Sequence, residues 1–332
     1  MGSQEVKTFC FTGEPEVGTC IEAMLKAGDF TQAKVADADV VFTYRISESE
    51  LEDLYYESSG ILQLSKKDAV LIDLSPSTVS FAQELCAMGS VSEKHVLDAP
   101  LVIKDILAPG AFSKSQNLGI VAGGSEDVFK RVEPMLRSIA SHVMWMGKAG
   151  CGQSTKIALT LSSAATLVGL VEAYTAMRVS KVSIDEEDFV DVASAFSMLT
   201  PAQESFVQAL SENDFEDASF TIEYAMGELA AALASVDDND LILPQAEACF
   251  RLMELLAMVG GVSYDPSALK LVFADEETSK KYGLDWSRVE GAYDHSKSDH
   301  ECDCDDNNCD CGHHHHHDSQ SGSSGYISFS SN

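Results

Sequence analysis

Positive charge is what this chain has least of: 22 lysines and arginines stand against 53 aspartates and glutamates, a formal net charge of −31. The acidic residues run along the whole chain, so phosphate backbones and anionic bilayers are repelled, and neither nucleic acid nor a membrane is expected as a partner. No apolar run reaches the roughly 20 residues needed to span a bilayer. The opening MGSQEVKTFCF has no charged n-region, apolar core or cleavage signal, so a cytoplasmic location is expected. A disulfide framework is missing too. Cys10, Cys20, Cys86, Cys151 and Cys249 are scattered through a body that reads as reduced, and the other four cysteines crowd into the tail. Apolar residues, by contrast, make up 45% of the 332, enough for one large or two medium domains with a full core.

The run KTFCFTG (7 to 13) reads as a buried strand, GEPEVG as a turn, and Val17 to Ala27 as a helix ended by Gly28, which together open a βαβ unit. Further strands are predicted at 39 to 45, 69 to 75, 95 to 102, 117 to 124 and 142 to 147, with helical stretches between several of them. Residues 1 to 147 thus fit an α/β, Rossmann-like doubly wound domain, shortened near its start. From 148 to 292 the pattern is all-helical. Lys156 to Ser180 is apolar on nearly all sides and is expected to be central and buried. Ser183 and Glu186 form a capping box ahead of the next helix, and helical patterns continue at 201 to 211, 219 to 236 and 241 to 259. Residues 293 to 332 have almost no apolar side chains and are expected to be disordered.

The stretch GCGQSTKIALT (150 to 160) places two glycines in a turn and starts an apolar helix with Lys156 in its first turns. The positive end of a helix and burial both disfavour an ammonium, the setting of a lysine that gives up its proton. A lysine that reaches from a helix end to water is the competing reading. The order of the pieces TGEPEVG (12 to 18), ADVVFT (38 to 43), IDLSPST (72 to 78), LDAPL (97 to 101), GIVAGGSEDVF (119 to 129), GCGQSTK (150 to 156) and VEA (171 to 173) resembles the β-hydroxyacid dehydrogenase family, which includes 3-hydroxyisobutyrate and 6-phosphogluconate dehydrogenases. The resemblance implies NAD or NADP as cofactor, bound at Gly13, Gly18, Thr43, Ser75 and Ser77, and a small-molecule substrate. It also implies Lys156 as the acid-base group at the substrate hydroxyl, Thr160 beside it, and a homodimer formed through the helical domain. A positioned acid of this kind is worth about 10² to 10⁴ in rate.

The chain departs from the family at several places. The phosphate-binding turn places Pro15 where the middle glycine belongs, so one N–H donor is gone, and Glu14 and Glu16 bring negative charge toward a dianion. Only about ten residues separate Gly28 from Asp39, where the family has a strand, a helix and a connection that hold the adenine ribose, so nothing in the sequence separates NAD from NADP. After LDAP, the family's substrate-gripping serine and two glycines are replaced by Val102, Ile103 and Lys104, of which Lys104 is a candidate charge for an acidic substrate. Thr160 stands where the family has asparagine, and Gly227 and Glu228 stand where it has a Lys–Asp pair. The tail carries Cys302, Cys304, Cys309, Cys311, His313, His314, His315, His316 and His317, thiolate and imidazole ligands for zinc or nickel on a flexible string; a purification tag is the bland reading of the histidines. The first reading is an NAD(P)-dependent oxidoreductase of the 3-hydroxyisobutyrate dehydrogenase type. The alternative is a non-catalytic descendant that binds metal or acts as a scaffold through its tail, and an imine reductase is a weaker third.

Overall fold

The computed structural model describes residues 6 to 180, 184 to 216, 218 to 237 and 241 to 289, all within one compact unit, Met1–Glu290. Strand β1 (Thr8–Gly13) runs into helix α1 (Pro15–Ala27), which buries Val17, Gly18, Ile21 and Leu25 at helical spacing. Pro15 is the first helical residue, where the missing N–H has no ladder partner to lose. After Gly28 comes β2, only Thr31–Gln32, and the chain turns directly into β3 (Val40–Tyr44). The short segment read from the sequence therefore keeps two residues of a second strand and no helix. There follow α2 (Glu48–Tyr56), α3 (Ile61–Leu64), β4 (Val70–Asp73), α4 (Val79–Val91), β5 (His95–Asp98), β6 (Leu101–Ile103), β7 (Leu118–Gly124), α5 (Glu126–Ile139) and β8 (His142–Gly147).

Strands β2, β1, β3, β4 and β5 lie side by side and parallel, β5 and β6 both pair antiparallel with β7, and β8 pairs parallel with β7. The run expected as one strand over 95 to 102 is two, β5 and β6. Pro100 stands at the break and has no N–H to donate to a ladder. The order reverses at β1, with β2 on one side and β3 on the other, and in open α/β sheets a ligand crevice lies outside the strand carboxyl ends at such a point. Alternation along the strands splits the apolar residues between two faces. Phe42 and Ile72 join a core that continues into Val168, Leu229 and Met253 of the helical part, while Val41 and Leu71 pack with Tyr55 and Phe81.

The helical part consists of α6 (Cys151–Val179), α7 (Glu186–Ala195), α8 (Pro201–Glu212), α9 (Ile222–Asp237), α10 (Pro244–Leu256) and α11 (Glu276–Lys281), with a 3-10 stretch at Pro266–Phe273. Two expectations need correction. Helix α6 is not buried on all sides: Lys156, Ile157, Thr160, Ala164, Val168, Val171 and Tyr174 form one buried stripe facing β7, α9 and α10, whereas Leu159 is 43% and Val179 77% exposed. By length and composition alone it is also long and apolar enough to cross a membrane, although no uninterrupted apolar run reaches that length; here its buried stripe packs on the sheet and on α9 and α10. The cap of α7 is Asp185, which accepts the Glu187 N–H at 3.2 Å; Ser183 lies outside the described residues.

Candidate active site

The β1–α1 turn is built tightly against the end of β3. A side chain at Gly13, whose φ is 147°, would collide with the Tyr44 carbonyl, and that carbonyl accepts the Glu14 N–H at 3.0 Å. Gly18 lets α1 settle on β1, since a Cβ there would stand 2.6 Å from the Phe11 ring. Both glycines thus have the backbone roles that a phosphate-binding turn gives them. The two acidic neighbours differ. Glu16 is exposed, but Glu14 is 3.1 Å from Arg45 Nη1, so its charge is largely offset by a guanidinium placed at the same turn. The expectation that both carboxylates bring free negative charge to the turn fails for Glu14, because Arg45 follows β3 directly and reaches across.

Thr43, Ser75 and Ser77 are all buried. Thr43 shares a hydrogen bond with Tyr55 Oη at 2.8 Å and donates to Asp73 Oδ1 at 3.1 Å, and Ser75 Oγ accepts the Arg45 N–H at 3.0 Å. These two hydroxyls support the crevice floor. Ser77 differs: its N–H donates to Gln153 Oε1 at 3.2 Å while its Oγ is buried with no protein partner, as is Arg45 Nε. Buried orphan donors of this kind are costly unless a ligand or water completes them. The glycine frame, Ser77 Oγ and Arg45 therefore fit a dinucleotide.

Asp98, at the end of β5, accepts the N–H of Gly150 at 2.9 Å and of Gln153 at 3.0 Å, and so fixes the start of α6. Gly152 permits that approach, since a Cβ would lie 2.5 Å from the Asp98 carbonyl. Beside it, burial pushes the Asp73 carboxyl up to about 7, with the Ser75 and Thr43 hydrogen bonds pulling the other way. Anchored like this, α6 presents Lys156, 6% exposed, toward α9, where its Nζ donates to Glu228 Oε1 at 2.6 Å. Thr160 Oγ1 donates to the other oxygen of the same carboxylate at 3.3 Å. Lys156 is thus no solvated helix end. Glu228 is the site residue that sequence reasoning left out of the site. Its signal was a lone carboxylate on the apolar helix AMGELAA, in the place of the family's acidic residue.

Lys104 is elsewhere: it donates to the Gln116 carbonyl at 2.7 Å and to Ser141 Oγ at 2.8 Å, and lies 2.9 Å from His142 Nδ1. These bonds tie it to the β7 and β8 end of the sheet, which removes it as a charge for the substrate. Val102 and Ile103 are strand residues of β6. The tail residues Cys302, Cys304, Cys309, Cys311, His313, His314, His315, His316 and His317 lie outside the described residues, and among the described residues no group of three or more His, Cys, Asp and Glu is arranged to hold a metal ion.

Residues 4–147 match the family model for the NAD binding domain of 6-phosphogluconate dehydrogenase. The chain is 28% identical over 227 residues to 3-hydroxyisobutyrate dehydrogenase-like 1 of Arabidopsis thaliana, covering 68% of this chain and 65% of that one. It is 33% identical over 142 residues to the mitochondrial 3-hydroxyisobutyrate dehydrogenase of Mus musculus, 42% and 41% of the two chains. Two other relatives, from Bacillus subtilis and Arabidopsis thaliana, are matched over 52% and 58% of their lengths, so the chain spans about half to two thirds of such proteins. Among solved structures, the 3-hydroxyisobutyrate dehydrogenase of Mycobacterium tuberculosis with L-serine superimposes with a TM-score of 0.68 at 20% identity, over 81% of this chain and 100% of that one, which speaks for the fold. The alternative of a metal-binding, non-catalytic descendant gains no support from these matches.

Proposed function

We propose that this chain is a divergent member of the β-hydroxyacid dehydrogenase family and an NAD(P)-dependent oxidoreductase interconverting an alcohol and a carbonyl on a small molecule. The observation that carries the reading is the buried Lys156–Glu228 pair at 2.6 Å, with Thr160 on the second carboxylate oxygen. A nicotinamide cofactor, when bound, supplies or accepts the hydride. The chain's own work is the proton. Lys156, positioned by Glu228, donates a proton to the substrate oxygen as it would otherwise become an alkoxide, and takes the proton back in the oxidative direction. Glu228 and Thr160 fix where that amine stands. Gly13, Gly18, Ser77 and Arg45 are the residues assigned to the dinucleotide. Since Val102 and Ile103 lie in β6 and Lys104 directly after it, where the family grips a carboxylate, the substrate differs from the family's short hydroxyacids. A homodimer through α6 belongs to the same reading, and metal binding by the tail is a separate one, tested by the metal content of the whole chain against a chain ending at Ala292.

The test is Lys156→Ala. Turnover should fall by about 10² or more while cofactor affinity stays within about twofold, because the acid acts in the transition state. Thr160→Ala should cost less. An unchanged rate in the lysine variant refutes the assignment.

A further inference from the structure

Aromatic side chains of the chain itself crowd the end of β3 at the β1/β3 switch point. Tyr44, the last residue of β3 and the register partner of Gly13, packs against Tyr224 of α9 with ring centroids 6.2 Å apart. Phe112 lies 5.3 Å from the same Tyr224 ring and 6.0 Å from Tyr44, and Phe220 closes the group at 5.8 Å from Tyr224. Tyr224 is buried, and its phenol is raised first by that burial and then by the charges of Glu14, Glu16 and Glu223. Helix α9 is seated on the strand ends along its length. Gly227 lies so close that a Cβ would be 2.5 Å from Ile46 Cγ2 and 2.8 Å from the Ile46 carbonyl, Glu228 holds Lys156, and Ser235 Oγ accepts the Val79 N–H at 3.1 Å.

A dinucleotide needs that space, since its pyrophosphate lies over the helix start and its nicotinamide half runs along the strand ends beyond. The glycine frame beneath fits the cofactor; the ring above it does not. We propose that Tyr224 is the residue that controls dinucleotide entry in this chain, with α9 withdrawing from β3 for the cofactor to bind. The proposal rests on the oxidoreductase reading and deepens it, for it names a residue outside the family's turn that sets how tightly the turn can be used. Seated as it is, α9 also keeps Lys156 paired with Glu228. A ligand whose binding requires a conformation other than the dominant one has its apparent affinity reduced by the population of that conformation, and removing the obstacle raises the affinity.

The experiment compares the whole chain with Tyr224→Ala and Tyr224→Phe in fluorescence titrations with NADPH and NADH. Tyr224→Ala should bind the preferred dinucleotide at least about tenfold more tightly, and Tyr224→Phe, which keeps the ring, should stay within about threefold of the original chain. Equal affinities for the original chain and the alanine variant overturn the gate and leave the cofactor reading standing. Absence of binding to a folded alanine variant, its circular dichroism unchanged, overturns both. Should the alanine variant not fold, hydrogen exchange of residues 222 to 237 decides: saturating NADPH should speed exchange there, and unchanged exchange with NADPH bound overturns the proposal.

Discussion

Asp73 stands at the end of β4 with both the floor of the crevice and the start of α6 depending on its surroundings. Its carboxylate accepts Thr43 Oγ1 and the Ser75 N–H, yet burial dominates and pushes its pKa up to about 7, with the charge of Asp98 adding to the rise. An ordinary aspartate titrates near 4, so between about pH 4 and 7 the folded chain binds more protons than the unfolded one. The stability this group contributes is complete at low pH and is lost as pH rises through about 7. Urea midpoints should therefore drop between about pH 4 and 7, and Asp73→Asn, which mimics the neutral acid, should reduce the drop. Equal pH slopes in the two proteins refute this. At this scale the sequence was partly readable. Lys156 was found because a glycine turn before an apolar helix is a local pattern, whereas the partner that positions it, Glu228, lies 72 residues away and is set only by how α9 crosses α6. Arg45 was missed for the same reason: neither its contact with Glu14 nor its orphan Nε follows from neighbours in sequence.

Helix α1 shows how one element carries two opposed requirements. Proline as its first residue fixes the start and limits the unfolded chain, but removes an N–H that would face a phosphate. Pro15→Gly should therefore tighten dinucleotide binding and at the same time lower stability by about 0.4 to 1 kcal/mol. Calorimetric titration and denaturant unfolding of the same preparation check the two signs, and tighter binding with no loss of stability would contradict the second. The strands were legible because their apolar runs lie between turn residues, and the deletion before β3 was legible from length alone. What the sequence hid were breaks and faces. Pro100 divides one apolar run into β5 and β6 because the ladder needs a donor it lacks, and the apolar α6 exposes Leu159 because packing covers only one stripe of a helix at a time.

For the whole molecule the strongest term is its charge. A net −31 means that two copies repel each other, and less so as salt shortens the screening length, which is about 10 Å at 0.1 M. Against this stands the outward side of α6, where Leu159 is exposed on a helix long and apolar enough to cross a membrane. Apolar association gains from salt while like-charge repulsion fades, so the two effects act in the same direction. The proposed homodimer should therefore tighten as ionic strength rises from about 20 to 300 mM, the reverse of what an interface held by opposite charges does. Leu159→Glu adds a carboxylate to each copy at the same face and should shift the equilibrium to monomer at every salt concentration. Light scattering at micromolar protein measures both effects. A monomer at high salt removes the dimer, and a dimer that weakens with salt would mean that an interface of paired charges, rather than the bare side of α6, holds the copies together.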